Sequence, residues 1–335
     1  MDLNILWFAL IAILFTGFFF LEGFDYGVGM LLPVVGKGDQ ERRIVLNTIG
    51  PFWDGNEVWL LTAGGAIFAA FPNWDATLFS GFYLALFLVL VMLIIRCVGI
   101  EFRSKVASVK WRKSWDMLIA VASLLSALLW GVAVSTLMTG VPIDQNMEFV
   151  GSFFTLLTPF SIVGGVVFVL LFMFHGALFL QLKVGSDAVL ERVNKIAAKA
   201  GIILIPVVLV WVVMAYLMTD ILSRPLSLIL VALAAAALVI SVLMQMKKRL
   251  GYAFIANALV IVLVTIAVFA GMFPRVLIST LDPAWSLTIY NASSSPYTLK
   301  IMSIIALTLV PIVLLYQGWN YWIFRKRITS DDVEY

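Results

Sequence analysis

One cysteine and one histidine are all that this 335-residue sequence holds of either type. With Cys97 alone, an intrachain disulfide is excluded, and so is any cysteine-rich metal or iron–sulfur site. With His175 alone, bis-histidine haem ligation within the chain is excluded. So is a di-iron carboxylate bundle, which takes a Glu-x-x-His from each of two helices. No Walker loop, dinucleotide-binding glycine fingerprint or catalytic triad is present. Charge is scarce too: 12% of residues are Asp, Glu, Lys or Arg, about half the share of a soluble domain. The net charge of +3 is not a nucleic-acid signature. The start, Met1-Asp2-Leu3-Asn4, lacks a basic n-region, so the first apolar run is expected to stay in the mature protein.

What is abundant is apolar surface. Hydrophobic residues make up 63% of the chain and mean hydropathy is +1.07, which implies an all-α polytopic membrane protein. The signal lies in long continuous runs and not in short alternating segments, which excludes a transmembrane β-barrel. Runs of spanning length occur at 5–35, 52–72, 76–100, 116–139, 160–183, 200–219, 224–244, 252–272 and 299–322. They predict nine helices in a single integral membrane domain covering 1–335. Short turns are expected at Phe71-Pro72-Asn73-Trp74-Asp75 and from Thr219-Asp220 to Pro225. No short internal repeat stands out.

The bases report orientation. All Lys and Arg except Arg96, Arg224, Arg275 and Lys300 lie in the loops after helices one, three, five and seven or in the tail. By the positive-inside rule the N-terminus is outside and the C-terminus cytoplasmic. The longest outer loop, 273–298, carries Trp285, Tyr290 and Tyr297 as expected interfacial anchors. Gly23 and Gly27, Gly64-Gly65 and Gly164-Gly165 are expected to let helices pack closely.

Against this background the acids are out of place. The stretch FFFLEGFDYGVGM (18–30) puts Glu22 and Asp25 on one face of the first helix. Glu22 lies roughly 25 Å from its outer end, in the cytoplasmic half. The second helix, running back outward, repeats the pattern in GPFWDGNEVWLL: Pro51 opens it, Trp53 and Asp54 form its first turn, and Asn56 and Glu57 follow. The third ends in IRCVGIEFRSK, with Arg96 a turn inside and Glu101 and Lys105 spaced i,i+4. Three consecutive helices thus carry ionisable groups at similar depth. Taken singly, Asp54 is as well explained by complementing a helix N-terminal dipole, and Lys105 by topology. Arg96 could neutralise one acid for structural reasons. Glu22, Asp25 and Glu57 are harder to dismiss, because a charge inside a membrane costs about 2.5–3.5 kcal/mol on insertion scales and such residues usually face a polar cavity. A proton or cation path is the favoured reading. His175, in FMFHGALF, reads as a hydrogen-bonding group in preference to a lone axial ligand.

The same segments resemble subunit II of the cytochrome bd-type quinol oxidases. The resemblance lies in LEGFDYGVGMLLP (21–33), ERRIVLNTIGPFWDGNEVWLLTAGGAIFAAFP (41–72), FSGFYLALFLVLVMLIIR (79–96), EFRSK (101–105) and HGALFL (175–180). It implies two four-helix bundles plus one extra helix, paired with a second nine-helix protein, subunit I, about a pseudo-twofold axis. A small single-helix third subunit is a further implied partner. Subunit I would bind two b-type haems, one d-type haem and the quinol that donates electrons, leaving this chain haem-free. The complex would reduce dioxygen to water in a bacterial cytoplasmic membrane, drawing protons from the cytoplasm without pumping. Carried over by position, Asp25 and Asp54 match acids on the proton route, and Trp53 packs beside Asp54 at the subunit boundary. Glu101 and Lys105 match a pair at the mouth of a hydrophilic channel, and Arg96 a basic residue of the third helix. Glu22 and Glu57 complete the proton pathway, with Asn56 and His175 as supporting polar groups. Two rivals stand: a proton- or cation-coupled secondary transporter, disfavoured because the acids crowd into the first third of the chain, and a purely structural assembly subunit.

Overall fold

The computed structural model of the chain describes residues 2–329 and Asp332. Of the expected 1–335 unit, Met1 and the remaining C-terminal residues lie outside the described residues. Eleven α-helices run in order: α1 Leu3–Val35, α2 Asp39–Asn47, α3 Trp53–Ala70, α4 Pro72–Gly81, α5 Tyr83–Phe102, α6 Val109–Thr139, α7 Pro159–Lys183, α8 Asp187–Met218, α9 Pro225–Met246, α10 Leu250–Met272 and α11 Pro296–Ile323. Two short strands, β1 (Arg275–Leu277) and β2 (Leu287–Thr288), pair antiparallel between α10 and α11.

Among the described residues eight helices are long and apolar enough to cross a membrane: α1 and α5 through α11. The sequence reading predicts nine. The difference is α3, which fills the place of the second expected helix but is only 18 residues long and opens with Asp54, Asn56 and Glu57. The third expected helix is two, α4 and α5, broken at Phe82. The turn expected over residues 71–75 shrinks to Phe71, because Pro72 takes the first position of α4, where its missing N–H costs nothing. Pro51 likewise lies in the turn before α3 and does not open the helix.

Several bases assigned to loops are helical. Lys110, Arg112 and Lys113 sit in the first turns of α6, and Arg192, Lys195 and Lys199 in the first half of α8. Both helices exceed 30 residues, about 45 Å at 1.5 Å per residue. They therefore outrun the roughly 30 Å hydrocarbon layer, and their polar starts lie beyond it.

Helix α1 is the central post: it packs against α3, α6, α7 and α10, and α6 packs in turn on α7. Where α1 crosses α7, Gly27 lies on Gly176, and a Cβ at position 27 would strike the Phe172 carbonyl and the Gly176 backbone. Gly131 meets Gly164 and Gly165 in the same way at the α6–α7 crossing. The glycine expectation fails at Gly65, where an added Cβ meets nothing within 4 Å.

Helix α11 is peripheral, with most of its side chains exposed. Its N-terminal end is tied down by Trp7 Nε1, which donates to Leu299 O and Ser303 Oγ at 3.2 and 3.0 Å. After α11 the chain doubles back, and Ile328 bridges Val184 at the end of α7. Lys183 Nζ donates to the Phe324 and Lys326 carbonyls there. The loop expected at 273–298 is more ordered than a connector: Val276, Leu277, Leu287 and Ile289 are buried in a second apolar core. Tyr290 and Tyr297 point outward as exposed side chains, while Trp285 is partly covered.

Candidate functional site

The acids of α1 and α3 and the base of α5 meet inside the bundle. Helical periodicity turns Glu22, Asp25 and Tyr26 toward α3 and α5, and all three are fully buried. Arg96 Nη1 donates to Glu22 Oε1 and, at 3.2 Å, to Glu57 Oε1. Its guanidinium lies over the Tyr26 ring, 4.7 Å from the centroid, where the ring face attracts a cation. Asp25 is held separately: Asn56 Nδ2 donates to its Oδ2 at 2.7 Å. Asn56 Oδ1 in turn accepts from Tyr321 Oη at 2.8 Å and Gln317 Nε2 at 3.3 Å, both on α11. Gln317 Oε1 accepts from Trp59 Nε1 at 3.0 Å. One polar network therefore runs from α5 through α1 and α3 to α11.

The other expected site residues lie outside this network. Asp54 is exposed on the outer face of α3, while Trp53 is buried beneath it. Glu101 is partly buried and Lys105 exposed, and no ion pair joins them among the described residues. The reason is local. Helix α5 ends at Phe102 and Arg103–Lys105 is a 3-10 turn, so the i,i+4 spacing no longer aligns the two side chains on one face. Cys97 lies within the fields of Glu57, Glu101, Asp54 and Arg96, which sets these groups around one end of α5.

The sequence reading passes over a second buried cluster. Arg103 and Asp116, both 1% exposed, pair through Arg103 Nε and Asp116 Oδ1 at 2.5 Å. Arg42 Nη1 reaches Asp116 Oδ2 at 2.7 Å, and Asp39 bridges Arg103 and Arg112 at 2.9 and 2.7 Å. Arg103, Arg42 and Arg112 count only as topology markers in the sequence, whereas the fold uses them to lock α2 against α5 and α6. An acid at the mouth of an apolar run, Asp116, is the signal that could have found this lock. Tyr26, Trp59, Gln317 and Tyr321 are also missed, since aromatic and amide side chains in a membrane helix carry no distinctive pattern. On the same side Arg192 Nη2 bonds Glu41 Oε2 at 2.5 Å, and this bond holds the Glu41 carboxyl below the usual carboxylate range.

His175 does not fit a haem axial position. Its Nε2 bonds the Phe20 carbonyl and its Nδ1 faces Asn257 Nδ2, both at 3.1 Å. Phe254 stacks on the imidazole at 4.8 Å between centroids. Both ring nitrogens are therefore engaged within the protein. Among the described residues no three His, Cys, Asp or Glu side chains converge as a metal site. A cavity of about 110 Å³ between α1, α3, α6 and α10 is lined almost wholly by apolar groups, among them Phe15, Leu60, Trp130 and Phe269. It offers packing space and no reacting group.

The comparisons agree with this arrangement of helices. The sequence matches the family model described as cytochrome bd terminal oxidase subunit II over residues 3–324. It is 43% identical over 333 residues to cytochrome bd ubiquinol oxidase subunit 2 of Bacillus subtilis (strain 168), covering 99% of this chain and 98% of that one. Identity to cytochrome bd-I ubiquinol oxidase subunit 2 of Escherichia coli (strain K12) is 37% over 366 residues, covering 99% and 97%. The fold alone is similar to a chain of the solved bd oxidase from Geobacillus thermodenitrificans, with a TM-score of 0.72 at 18% identity over 97% of this chain and 100% of that one. The chain belongs to the cytochrome bd terminal oxidase subunit II family.

Proposed function

We propose that this protein is the proton-conducting and structural subunit II of a quinol:dioxygen oxidoreductase in a bacterial cytoplasmic membrane. In this reading 1–335 forms one membrane unit of nine spans, α3 and the α4–α5 pair included, with the N-terminus outside. Its partner is subunit I, arranged about a pseudo-twofold axis, with a small single-helix third subunit alongside. Two b-type haems, one d-type haem and the quinol belong to subunit I. Those groups supply electron transfer and oxygen chemistry, while this chain supplies cytoplasmic protons. The complex is electrogenic without pumping.

The observation that carries this reading is the buried set Glu22, Asp25, Glu57 and Arg96. Two of these three carboxyl groups share the one guanidinium, and Asp25 has only the Asn56 amide, so the set has a formal excess of acid in the membrane-embedded core. Excess negative charge in a low-dielectric interior is expensive, and a proton is the smallest group that can cancel it. Asn56 joins Asp25 to Tyr321 and Gln317 and fixes the direction in which Asp25 accepts. Asp54 stands on the α3 surface among exposed Val58, Leu61 and Phe68. A carboxylate facing lipid there would cost about 2.5–3.5 kcal/mol, so this face suits coverage by a protein partner. Protons would enter from the cytoplasm near Glu101, Lys105 and Asp54 and reach Glu57, Glu22 and Asp25.

The test is oxygen consumption by the purified complex carrying Asp25→Asn or Asp54→Asn. Both variants are expected to slow turnover while the reduced-minus-oxidised haem spectrum stays intact. Unchanged turnover across the pH range would leave only an assembly role for the acids.

A further inference from the structure

Beside the carboxylate cluster, α1 and α6 face each other across a strip of polar atoms that the proton route above does not use. On α6, Ser123, Ser126 and Trp130 follow a helical i, i+3, i+7 spacing, and all are buried. On α1 they meet Tyr26 and Gly29, whose missing side chain admits the Ser123 hydroxyl. The Tyr26 phenol faces the Trp130 indole. Beyond this mutual approach, Tyr26 Oη and Trp130 Nε1 have no hydrogen-bond partner among the described residues; Ser123 Oγ, Ser126 Oγ and Arg96 Nη2 have none, and Glu22 Oε2 has none beyond the Asp25 carboxyl.

The serines are exceptional for this protein. Other buried hydroxyls in its helices find a protein acceptor, Ser227 and Ser241 on carbonyls of α10, and Thr136, Thr265 and Ser303 on the carbonyl four residues back. Ser123 and Ser126 forgo that bond. Buried polar atoms in membrane proteins find partners, and a water molecule needs two to four of them. The strip supplies donors (Trp130 Nε1, Arg96 Nη2), an acceptor (Glu22 Oε2) and three hydroxyls that serve as either. On its far side Trp130 packs against Phe18 and Phe19, at 5.2 and 5.7 Å between ring centroids, and borders the apolar cavity.

We propose that the α1–α6 seam holds a hydrated side pocket, walled by Tyr26, Ser123, Ser126 and Trp130, that serves as a proton reservoir for Glu22. The hydration rests on the unpartnered buried polar atoms; the reservoir role rests on the proton-route reading. Each transfer breaks one O–H bond as the next forms, from Glu22 Oε2 to a water oxygen and on to the hydroxyls, so it needs no co-reactant. Tyr26 and the serines position that water and touch no redox centre.

The experiment is cryo-electron microscopy of the complex at a resolution that reveals water, with oxygen-pulse proton-uptake kinetics on Tyr26→Phe and Ser123→Ala/Ser126→Ala. Tyr26→Phe removes only a hydroxyl whose one protein neighbour is the Trp130 indole, so the fold should survive. The expected density is one or more ordered waters bonded to Tyr26 Oη and the two serines. Proton uptake should slow severalfold, with a larger solvent isotope effect and an unaltered haem spectrum and quinol KM. A dry seam would overturn the pocket whatever the acids do. Waters present, with both variants matching wild type in uptake and isotope effect while Asp25→Asn is slow, would overturn the reservoir and leave the proton route standing. Normal uptake in Asp25→Asn as well would count against the route and the reservoir together, with the hydration still decided by density.

Discussion

Removing Arg96 should damage this protein more than removing the acid it binds. Arg96 is 1% exposed and Glu22 0%. The guanidinium also bonds Glu57 at 3.2 Å and stacks 4.7 Å over Tyr26. Arg96→Met keeps most of the aliphatic volume but leaves two carboxyl groups facing each other without a counter-charge. Breaking one side of such a pair costs about 3–5 kcal/mol, whereas replacing both sides by groups of similar shape is often nearly neutral. Glu22→Gln combined with Arg96→Met should therefore recover most of the loss, a coupling of roughly 2–4 kcal/mol in the double-mutant cycle. Because each 1.4 kcal/mol is about tenfold in an equilibrium constant, the single variant should lose assembled complex by two orders of magnitude or more under mild denaturing conditions. The assay is the fraction of complex that keeps its haem absorbance and oxygen consumption after graded heating in detergent. Wild-type survival of Arg96→Met, or a double variant no better than the single, would refute the claim that the pair is electrostatically coupled.

Four further outcomes follow from the geometry. Gly27→Ala drives a methyl into the Phe172 carbonyl and the Gly176 backbone, so it should destabilise the α1–α7 crossing by about 1–3 kcal/mol. Gly251→Ala, with nothing within 4 Å, should be harmless in the same heat-inactivation assay. Glu41 sits below the usual carboxylate range through its bond from Arg192. Its contribution to stability is thus complete above the ordinary value of 4.5 and fades as pH falls through the lowered one. Glu41→Gln should therefore inactivate faster than wild type at neutral pH, and the gap should close in strong acid. His175→Gln should leave every haem band in place, because both imidazole nitrogens are already engaged; loss of a band in the purified complex would overturn that assignment.

The architecture was legible where it depends on one-dimensional signals. Apolar runs marked α1 and α6 through α11 because a membrane-crossing helix needs about 20 apolar residues whatever it packs against. The same rule merged α4 with α5, since the apolar run continues across Ser80-Gly81, the one breaker pair beside Phe82. Burial of Glu22 and Asp25 followed from their place in the run. Their division of partners did not: whether Arg96 would take Glu22, Asp25 or Glu57 depends on how three helices rotate about each other. Asp54 and Glu57 make the point sharply. They are three residues apart on α3, yet one is exposed and the other mostly covered, because the covered arc of α3 is set by where α1, α4 and α11 lie. The Arg103–Asp116 lock escaped for a related reason. Arg103 lies among the bases that the positive-inside rule counts, and a count of charges cannot tell an arginine that faces water from one folded inward onto an acid.

This division among the acids also bears on why a buried ion pair is kept at all. A membrane interior favours apolar substitutes for Glu22 and Arg96 on stability grounds, so the pair has to be explained by what it does. Arg96 binds Glu22 and Glu57 through a single nitrogen and leaves Nη2 unpartnered. Asp25 is held by a neutral amide and not by the guanidinium. A pair built only to neutralise charge would use both arms of the fork on one carboxylate, the stronger geometry. Here the two acids share one donor, so a proton arriving at either strengthens the bond to the other. That arrangement costs less to switch than a bidentate pair would. It couples Glu57, which reaches toward the surface, to Glu22, which does not, and on the proposed proton route that coupling is what the retained charge is for.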